Sequence, residues 1–168
     1  MLQIVLRFFH VFSGALWVGM LAFQTFYLMP ALNEAGPEAG KIMGALARRR
    51  IHIVMPIIAL LTLISGFWLL SRLSGGNMGA LMAQPMGKAF GLGGLSALLA
   101  FLLGVVVMRP AMMRMMKLQE SLPSAAPADR GGITAELQQL RTRGNTLAKV
   151  VNWMLLFTLG AMAVARYL

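Results

Sequence analysis

Five residues of the first apolar stretch share one helical face and include an imidazole and a guanidinium. They are Arg7, His10, Gly14, Trp17 and Gln24, separated by three, four, three and seven residues. In an α-helix these spacings bring the side chains onto a single stripe. Ionisable groups in hydrocarbon are costly unless they are paired, bound or solvated, so they often mark a functional site. We therefore expect function on this stripe.

His10 is the candidate ligand on this stripe. Neutral imidazole is the commonest metal ligand and also an axial ligand of b-type haem. Gly14, one turn further on, could leave room for a flat macrocycle, and Trp17 completes the predicted cofactor-binding face. Arg7 and Arg166 could receive the haem propionates. The alternatives are a histidine hydrogen-bonded to a neighbouring helix and arginines that reach lipid phosphates.

His52 is the other histidine of the chain, and it directly follows three consecutive arginines at positions 48–50. It is a second candidate for cofactor binding. From the helical rise we expect His10 roughly 9 Å and His52 roughly 13 Å from the membrane midplane, on opposite sides. The two histidines should therefore not share one iron. The alternative for His52 is an interfacial side chain that pairs with phosphate or with a backbone carbonyl.

Methionine is abundant, with 15 residues, and three of them repeat at intervals of four: Met78, Met82 and Met86. Thioether sulfur suits Cu(I), so these residues could capture copper that His10 relays. Methionine is also a flexible packing residue, and Pro85 interrupts the regular helix that would align the three. A copper site and apolar packing are both open readings.

The composition is typical of an integral membrane protein. Hydrophobic residues make up 58% and charged residues 12% of the 168 positions, and the mean hydropathy is +0.74. Cysteine is absent, which excludes disulfides, thiolate metal sites and iron–sulfur clusters. All five acidic residues fall in predicted connections, which argues against a carboxylate proton relay. The net charge of +10 fits membrane topology and anionic lipids, not nucleic acid.

Four apolar stretches are long enough to cross a bilayer, which takes about 20 residues. They predict a single-domain, all-α four-helix membrane bundle with spans at about 2–29, 51–70, 89–108 and 147–167. Lys and Arg are concentrated in the first and third connections. Because basic loops favour the cytoplasm, both termini are predicted outside, and the protein is predicted in the inner membrane of a bacterium.

The segments between the predicted spans also contain residues that indicate helix starts and a linker. Pro37 and Glu38 indicate that the second helix begins early, as a cytoplasmic extension. Residues 121–132 are rich in Ser, Ala, Pro and Gly, which predicts a flexible linker. An amphipathic helix is predicted to follow it, with apolar residues at helical spacing: Ile133, Leu137 and Leu140.

Small and polar residues in the last two spans predict helix–helix contacts. Gly87 and Gly91 form a small-xxx-small pair that allows close approach, either inside the bundle or between two copies. Asn145 and Asn152 lie seven residues apart on the fourth helix. We expect their amides to hydrogen-bond to a neighbouring helix, with contact to a polar headgroup or propionate as the alternative.

The stretch His10-Val-Phe-Ser-Gly-Ala-Leu-Trp17-Val-Gly19, followed by Phe23, Phe26 and Pro30, resembles the first helix of the bacterial copper-resistance protein D family. The order of this helix, a basic run and a second helix reaching Ser65-Gly66 also resembles the HemJ-type protoporphyrinogen oxidases. These are small four-helix membrane proteins that bind b-type haem. The resemblance implies that His10 is a haem ligand.

These patterns together predict a b-type-haem-binding membrane protein that serves electron transfer or, as an oxidoreductase, a haem-linked oxidation. The first alternative is a membrane protein that binds or transports copper. The second is a non-catalytic accessory subunit of a larger membrane complex, in which the histidines are structural. Anionic lipids and a second copy of the chain are the further predicted partners.

Overall fold

The computed structural model describes residues 1–36 and 39–168, which are helical over almost their whole length. The α-helices in chain order are α1 (Leu2–Phe23), α2 (Met29–Glu34), α3 (Ala39–Arg48), α4 (Ile51–Leu73), α5 (Met78–Ala83), α6 (Pro85–Leu102), α7 (Arg109–Ser121) and α8 (Pro127–Val164). Two π-helical segments, Gln24–Leu28 and Leu103–Met108, join α1 to α2 and α6 to α7. Short 3-10 turns cover Leu122–Ser124 and Ala165–Tyr167.

Four continuous helical stretches of the described chain are long and apolar enough to cross a membrane. They cover Leu2–Glu34, Ile51–Leu73, Pro85–Ser124 and Pro127–Tyr167. The protein is therefore an all-α four-helix membrane bundle, as the sequence predicted. Three of the stretches extend well beyond the predicted spans, because apolar composition marks the crossing part of a helix, whereas its polar continuation stays helical.

Two antiparallel helix pairs build the bundle, α1 with α4 and α6 with α8. Two hydrogen bonds from hydroxyl groups join α6 to α8. Ser96 donates to the Met154 carbonyl and Thr158 to the Gly93 carbonyl, each at 3.0 Å. A cluster of buried apolar side chains joins the two pairs at the centre, formed by Trp17, Val18, Ala59, Ala97, Ala100, Val151 and Leu155.

The bundle has two different ends. We call the end that holds α5 and both chain termini the termini end. The opposite end, which holds Arg48, Arg49, Arg50 and Arg109, is the basic end. The sequence predicts that the basic end faces the cytoplasm.

Both π-helical segments lie toward the basic end, and each is followed within two residues by a proline. Gln24–Leu28 comes just before Pro30, and Leu103–Met108 just before Pro110. Proline has no N–H, and its ring clashes with the carbonyl four residues earlier, so the preceding turn widens. The wide turns thus follow from the sequence, and Pro56 adds a third proline near the basic end of α4.

The glycine pair of the third span, Gly87 and Gly91, contacts another helix of the same chain. A Cβ at Gly87 would overlap the Leu81 carbonyl group, and a Cβ at Gly91 would lie 3.0 Å from the Met82 sulfur. Both glycines therefore face α5, the short helix that precedes α6. Of the two predicted roles, the structure supports the contact within the bundle.

The structure changes one prediction about the connections, and another concerns residues that it does not describe. The predicted flexible linker at residues 121–132 is helical except at Ala125 and Ala126, because Pro127 and Asp129 occupy the first turn of α8, where both favour a helix start. Leu137 is buried, as the amphipathic pattern requires. The predicted early helix start at Pro37 and Glu38 lies outside the described residues. From Ala39 the chain forms a separate helix, which Arg50 (φ 56°) divides from α4.

Candidate functional site

His10 lies between α1 and α4, in the half of the bundle nearer the termini end. Its Nδ1 is 3.0 Å from the Thr62 carbonyl oxygen and 3.4 Å from Ser65 Oγ. Because a carbonyl can only accept a hydrogen bond, the proton of the neutral ring is on Nδ1. The in-plane lone pair of the His10 ring is then on Nε2, and this atom makes no hydrogen bond within residues 1–36 and 39–168.

Buried hydroxyl groups surround this contact, and each finds a partner. Ser13 donates to the Phe9 carbonyl at 2.6 Å, and Ser65 donates to the Leu61 carbonyl at 2.6 Å. Thr62 Oγ1 lies 2.9 Å from Ser13 Oγ, which ties the two helices together. We call His10, Ser13, Thr62 and Ser65 the His10 cluster. Its hydroxyl groups are satisfied, so they hold the helices in register.

Two glycines allow the helices of this pair to approach. A Cβ at Gly66 would lie 2.7 Å from Cε1 of His10, so the imidazole occupies the space that a larger residue would fill. A Cβ at Gly14 would lie 3.4 Å from the Thr62 methyl group. The space beside Gly14, predicted for a macrocycle, is therefore taken by a side chain of α4.

The partners of His10 on α4 were missed as site residues by the sequence analysis. Thr62, Ser65 and Gly66 are spaced by three and one in an otherwise apolar helix. This spacing puts small and polar groups on one face. The pattern could have indicated a second functional stripe, although it could not have indicated which residue of α1 it meets.

The other predicted contact residues are not gathered around His10. Arg7 is exposed and lines a groove on α1 together with Gln3, Ile4, Phe8 and Val11. The Arg166 guanidinium lies over the Tyr167 ring, 5.8 Å from its centre. Trp17 is buried in the central apolar cluster. Arg7 and Arg166 therefore keep a cofactor role only as predictions.

His52 is far from His10. It lies ten residues before Thr62 on α4, about 15 Å along the helix axis. The two histidines are therefore too far apart to bind one iron, whereas their depths on either side of the membrane midplane stay a prediction. The Nδ1 atom of His52 is buried and has no hydrogen-bond partner in the described part of the chain.

The three candidate copper ligands lie on two helices. Met78 and Met82 belong to α5, whereas Met86 belongs to α6, and Gln84 between them is extended (ψ 149°). The Met82 sulfur packs against Gly91. No group of three or more His, Asp or Glu side chains that could hold a metal ion occurs among the described residues. Because Met86 is on a different helix from Met78 and Met82, the three methionines do not share one helical face.

A second set of polar side chains lies between the bundle centre and the basic end. Thr25 Oγ1, His52 Nδ1 and both amide atoms of Asn152 are buried and form no hydrogen bond within the described ranges. Asn152 is 0% exposed. The prediction that Asn152 hydrogen-bonds to a neighbouring helix is therefore wrong for the described chain, since Asn152 is buried next to Val151 of the apolar central cluster and its amide meets no partner. Together with Gln24 we call these residues the basic-end polar set.

Compared with protein-family models, with curated proteins and with solved structures, the chain matches none of them. Its function is therefore inferred from the side chains and their contacts.

Proposed function

We propose that this multi-pass membrane protein binds b-type haem through Nε2 of His10 and serves electron transfer. The hydrogen bond between His10 Nδ1 and the Thr62 carbonyl is the observation that carries the proposal. A metal-ligating histidine almost always donates its other ring N–H to a carbonyl, carboxylate or water, which fixes the tautomer and the ring orientation. In this chain the hydrogen bond leaves Nε2 as the nitrogen able to ligate a metal.

The chemistry of the chain supports haem over a metal ion held by protein ligands alone. Haem needs one axial side chain and supplies one-electron redox chemistry at its iron. A bare metal ion needs several ligands, and cysteine is absent from the sequence. The order of the first helix, the basic run and the second helix resembles the HemJ-type oxidases, and that resemblance implies a haem ligand at His10.

A groove beside Arg7 is where we place the parts of the haem other than its iron, namely the macrocycle and the propionates. The groove has a volume of about 530 Å³ and is lined by five α1 residues between Gln3 and Val11, on either side of His10 in the sequence. Arg7 is the cation of this groove and could pair with a propionate. Because the groove is on the outer surface of α1, the bound cofactor would border lipid or a neighbouring subunit.

Absorption spectroscopy tests the proposal directly. The protein is purified in mild detergent from haem-sufficient cells, and a reduced-minus-oxidised spectrum is recorded together with the haem content. We expect Soret and α bands that disappear in His10→Ala and persist in His52→Ala, the matched control. A colourless protein, or an unchanged spectrum in His10→Ala, would contradict the proposal.

The tautomer is tested separately in the haem-free protein. The chain has two histidines, so ¹⁵N-histidine labelling gives two imidazoles, and His52→Ala assigns them. We expect the ¹⁵N shifts of His10 to show a protonated Nδ1 and an unprotonated Nε2. The opposite tautomer would remove the observation on which the proposal depends.

Copper binding by Met78, Met82 and Met86 stays the competing prediction, and metal analysis of the same preparation tests it. Stoichiometric copper that is lost when these three residues are changed to Leu, without any haem band, would favour the copper alternative. A stable preparation that lacks both haem and metal would favour a structural role for His10.

A further inference from the structure

Four exposed arginines of the basic end lie at the level of the lipid headgroups. Arg48, Arg49 and Arg50 directly precede α4, and Arg109 is the first residue of α7. With 23 residues, α4 is about 34 Å long, close to the hydrocarbon thickness of about 30 Å. The helix α6 and the π-helical segment after it, with 18 and 6 residues, cross a similar thickness before Arg109. Both arginine positions therefore border the same face of the membrane.

Packing brings these arginines to one corner of the bundle. Ile51, which follows Arg50, and Met112, one turn after Arg109, line the same cavity of about 30 Å³. Leu46 lines it as well, so α3, which carries the first of the arginines at its end, packs at this place. We call the four residues the arginine corner: Arg48, Arg49, Arg50 and Arg109.

The chain supplies little negative charge to the arginine corner. None of its guanidinium groups forms a hydrogen bond or an ion pair within residues 1–36 and 39–168. Glu136 pairs with Arg114, and Glu34, near the same end, pairs with none of the four. Glu38 lies outside the described residues, and its single charge can balance only one arginine. At least three positive charges therefore have no counter-charge in contact with them.

The backbone at Arg50 also indicates that its side chain has a use. Arg50 has a φ of 56°, in the left-handed region that glycine adopts easily and other residues adopt at a cost. Strained backbone of this kind occurs preferentially at functional positions such as ligand clamps. An arginine where glycine would cost less is consistent with a ligand that its guanidinium binds.

Phosphate is the anion that suits these side chains. Guanidinium groups stay charged and bind phosphate through two parallel hydrogen bonds. At the level of the headgroups, the phosphodiester of a phospholipid is the anion at hand, and basic groups on the membrane surface attract anionic lipids.

An exposed apolar stripe on α4 suits the acyl chains of the same molecule. It starts three residues after Arg50 and extends over about 16 Å, roughly the depth of one leaflet. Its residues recur at intervals of four and three, and all are exposed: Ile53, Ile57, Leu60 and Ile64. A free phosphate ion would use the arginines alone, whereas a phospholipid uses both features.

We infer that the arginine corner binds the headgroup phosphate of an anionic phospholipid, whose acyl chains lie along the exposed stripe of α4. A lipid with a net negative charge fits better than a zwitterionic one, because the cation of a choline headgroup would face the arginines. The inference does not depend on haem binding.

Lipid titration of the full-length protein in an uncharged detergent tests the site. Phosphatidylglycerol with a fluorescent label on one acyl chain is the probe, and its anisotropy gives an apparent Kd. Each arginine near anionic headgroups contributes about a factor of five to binding. We therefore expect Arg50→Gln combined with Arg109→Gln to raise the Kd about 25-fold.

The matched control combines Arg141→Gln with Arg143→Gln, which removes the same charge from exposed positions of α8. We expect a much smaller rise in Kd there. Equal weakening in both double variants would show a diffuse attraction by the net charge and would overturn the site.

Two further titrations identify the ligand. Phosphatidylcholine with the same acyl chains should bind more weakly to the unmodified chain, and equal affinity for the two lipids would overturn the inference. Inorganic phosphate that displaces the lipid at constant ionic strength would assign the corner to a soluble anion instead. If circular dichroism shows that the double variant at the arginine corner is unfolded, the comparison of the two lipids decides.

Discussion

The two halves of the bundle differ in whether their buried polar side chains have hydrogen-bond partners in the described chain. In the half near the termini, the His10 cluster forms a closed set of hydrogen bonds between α1 and α4. In the half near the basic end, Thr25, His52 and Asn152 have buried polar atoms without partners in the described chain. The difference teaches that burial of a polar side chain does not by itself give it a partner. Polar side chains in the first half join two helices, whereas the three in the second half have atoms that meet no hydrogen-bonding group of the described chain.

Gly66→Val should have the largest effect on the first half. The added side chain would collide with the His10 ring, because even a Cβ would lie 2.7 Å from Cε1. Overpacking of this kind costs about 1–3 kcal/mol. We expect a lower melting temperature in detergent and, if haem is bound, a shifted spectrum. Gly94→Val is the control, since a Cβ there meets nothing within 4 Å. Equal losses in both variants would show that the two helices do not depend on this contact.

Arg50→Gly should stabilise the basic end. Arg50 has a φ of 56°, which costs a non-glycine residue about 1–2 kcal/mol and costs glycine little. We expect a melting temperature above that of the unmodified protein. Arg49→Gly removes the same charge from a neighbouring position and should not raise it. A decrease in Arg50→Gly alone would mean that the arginine side chain stabilises the turn by more than its backbone strain.

A pair of isosteric substitutions compares the halves directly. Thr62→Val breaks a hydrogen bond between two protein side chains and should cost about 1 kcal/mol. Thr25→Val removes a hydroxyl that has no protein partner in the described ranges, so its cost should be smaller. Thermal unfolding of both variants in the same detergent measures the difference. A larger loss for Thr25→Val would place the stabilising polar contacts in the basic-end half instead.

The smallest effect is expected outside the apolar core, at the ion pair that joins α7 to α8. Arg114 donates a hydrogen bond to the Glu136 carboxylate. Exposed ion pairs contribute little and are screened by salt. We expect Glu136→Gln to lower the melting temperature slightly at low salt and not at high salt. Glu120→Gln is the control, and a salt-independent loss in Glu136→Gln would exclude a simple ion pair.

The sequence predicted the four spans because a membrane crossing requires a long apolar run, and that property belongs to each helix alone. A hydrogen bond from His10 to a neighbouring helix was one of the predicted alternatives, and that contact is present. The sequence did not predict that His10 meets Thr62 and Gly66, because the register between two helices is set by packing. The same cause explains the failure at Asn152. An amide on a helix predicts a need for a hydrogen bond, whereas the presence of a partner depends on the residues opposite.

The π-helical segment at residues 24–28 changes how the first span can adapt. A π turn contains one residue more than an α turn, so it acts like a single-residue insertion in the helix. Beyond it, the face that carries His10 and Gly14 is rotated by about 100°. The part of the span that packs on α4 and the part that reaches α2 are therefore out of phase. Residues of α2 that sequence spacing alone would assign to the His10 face therefore point in a different direction.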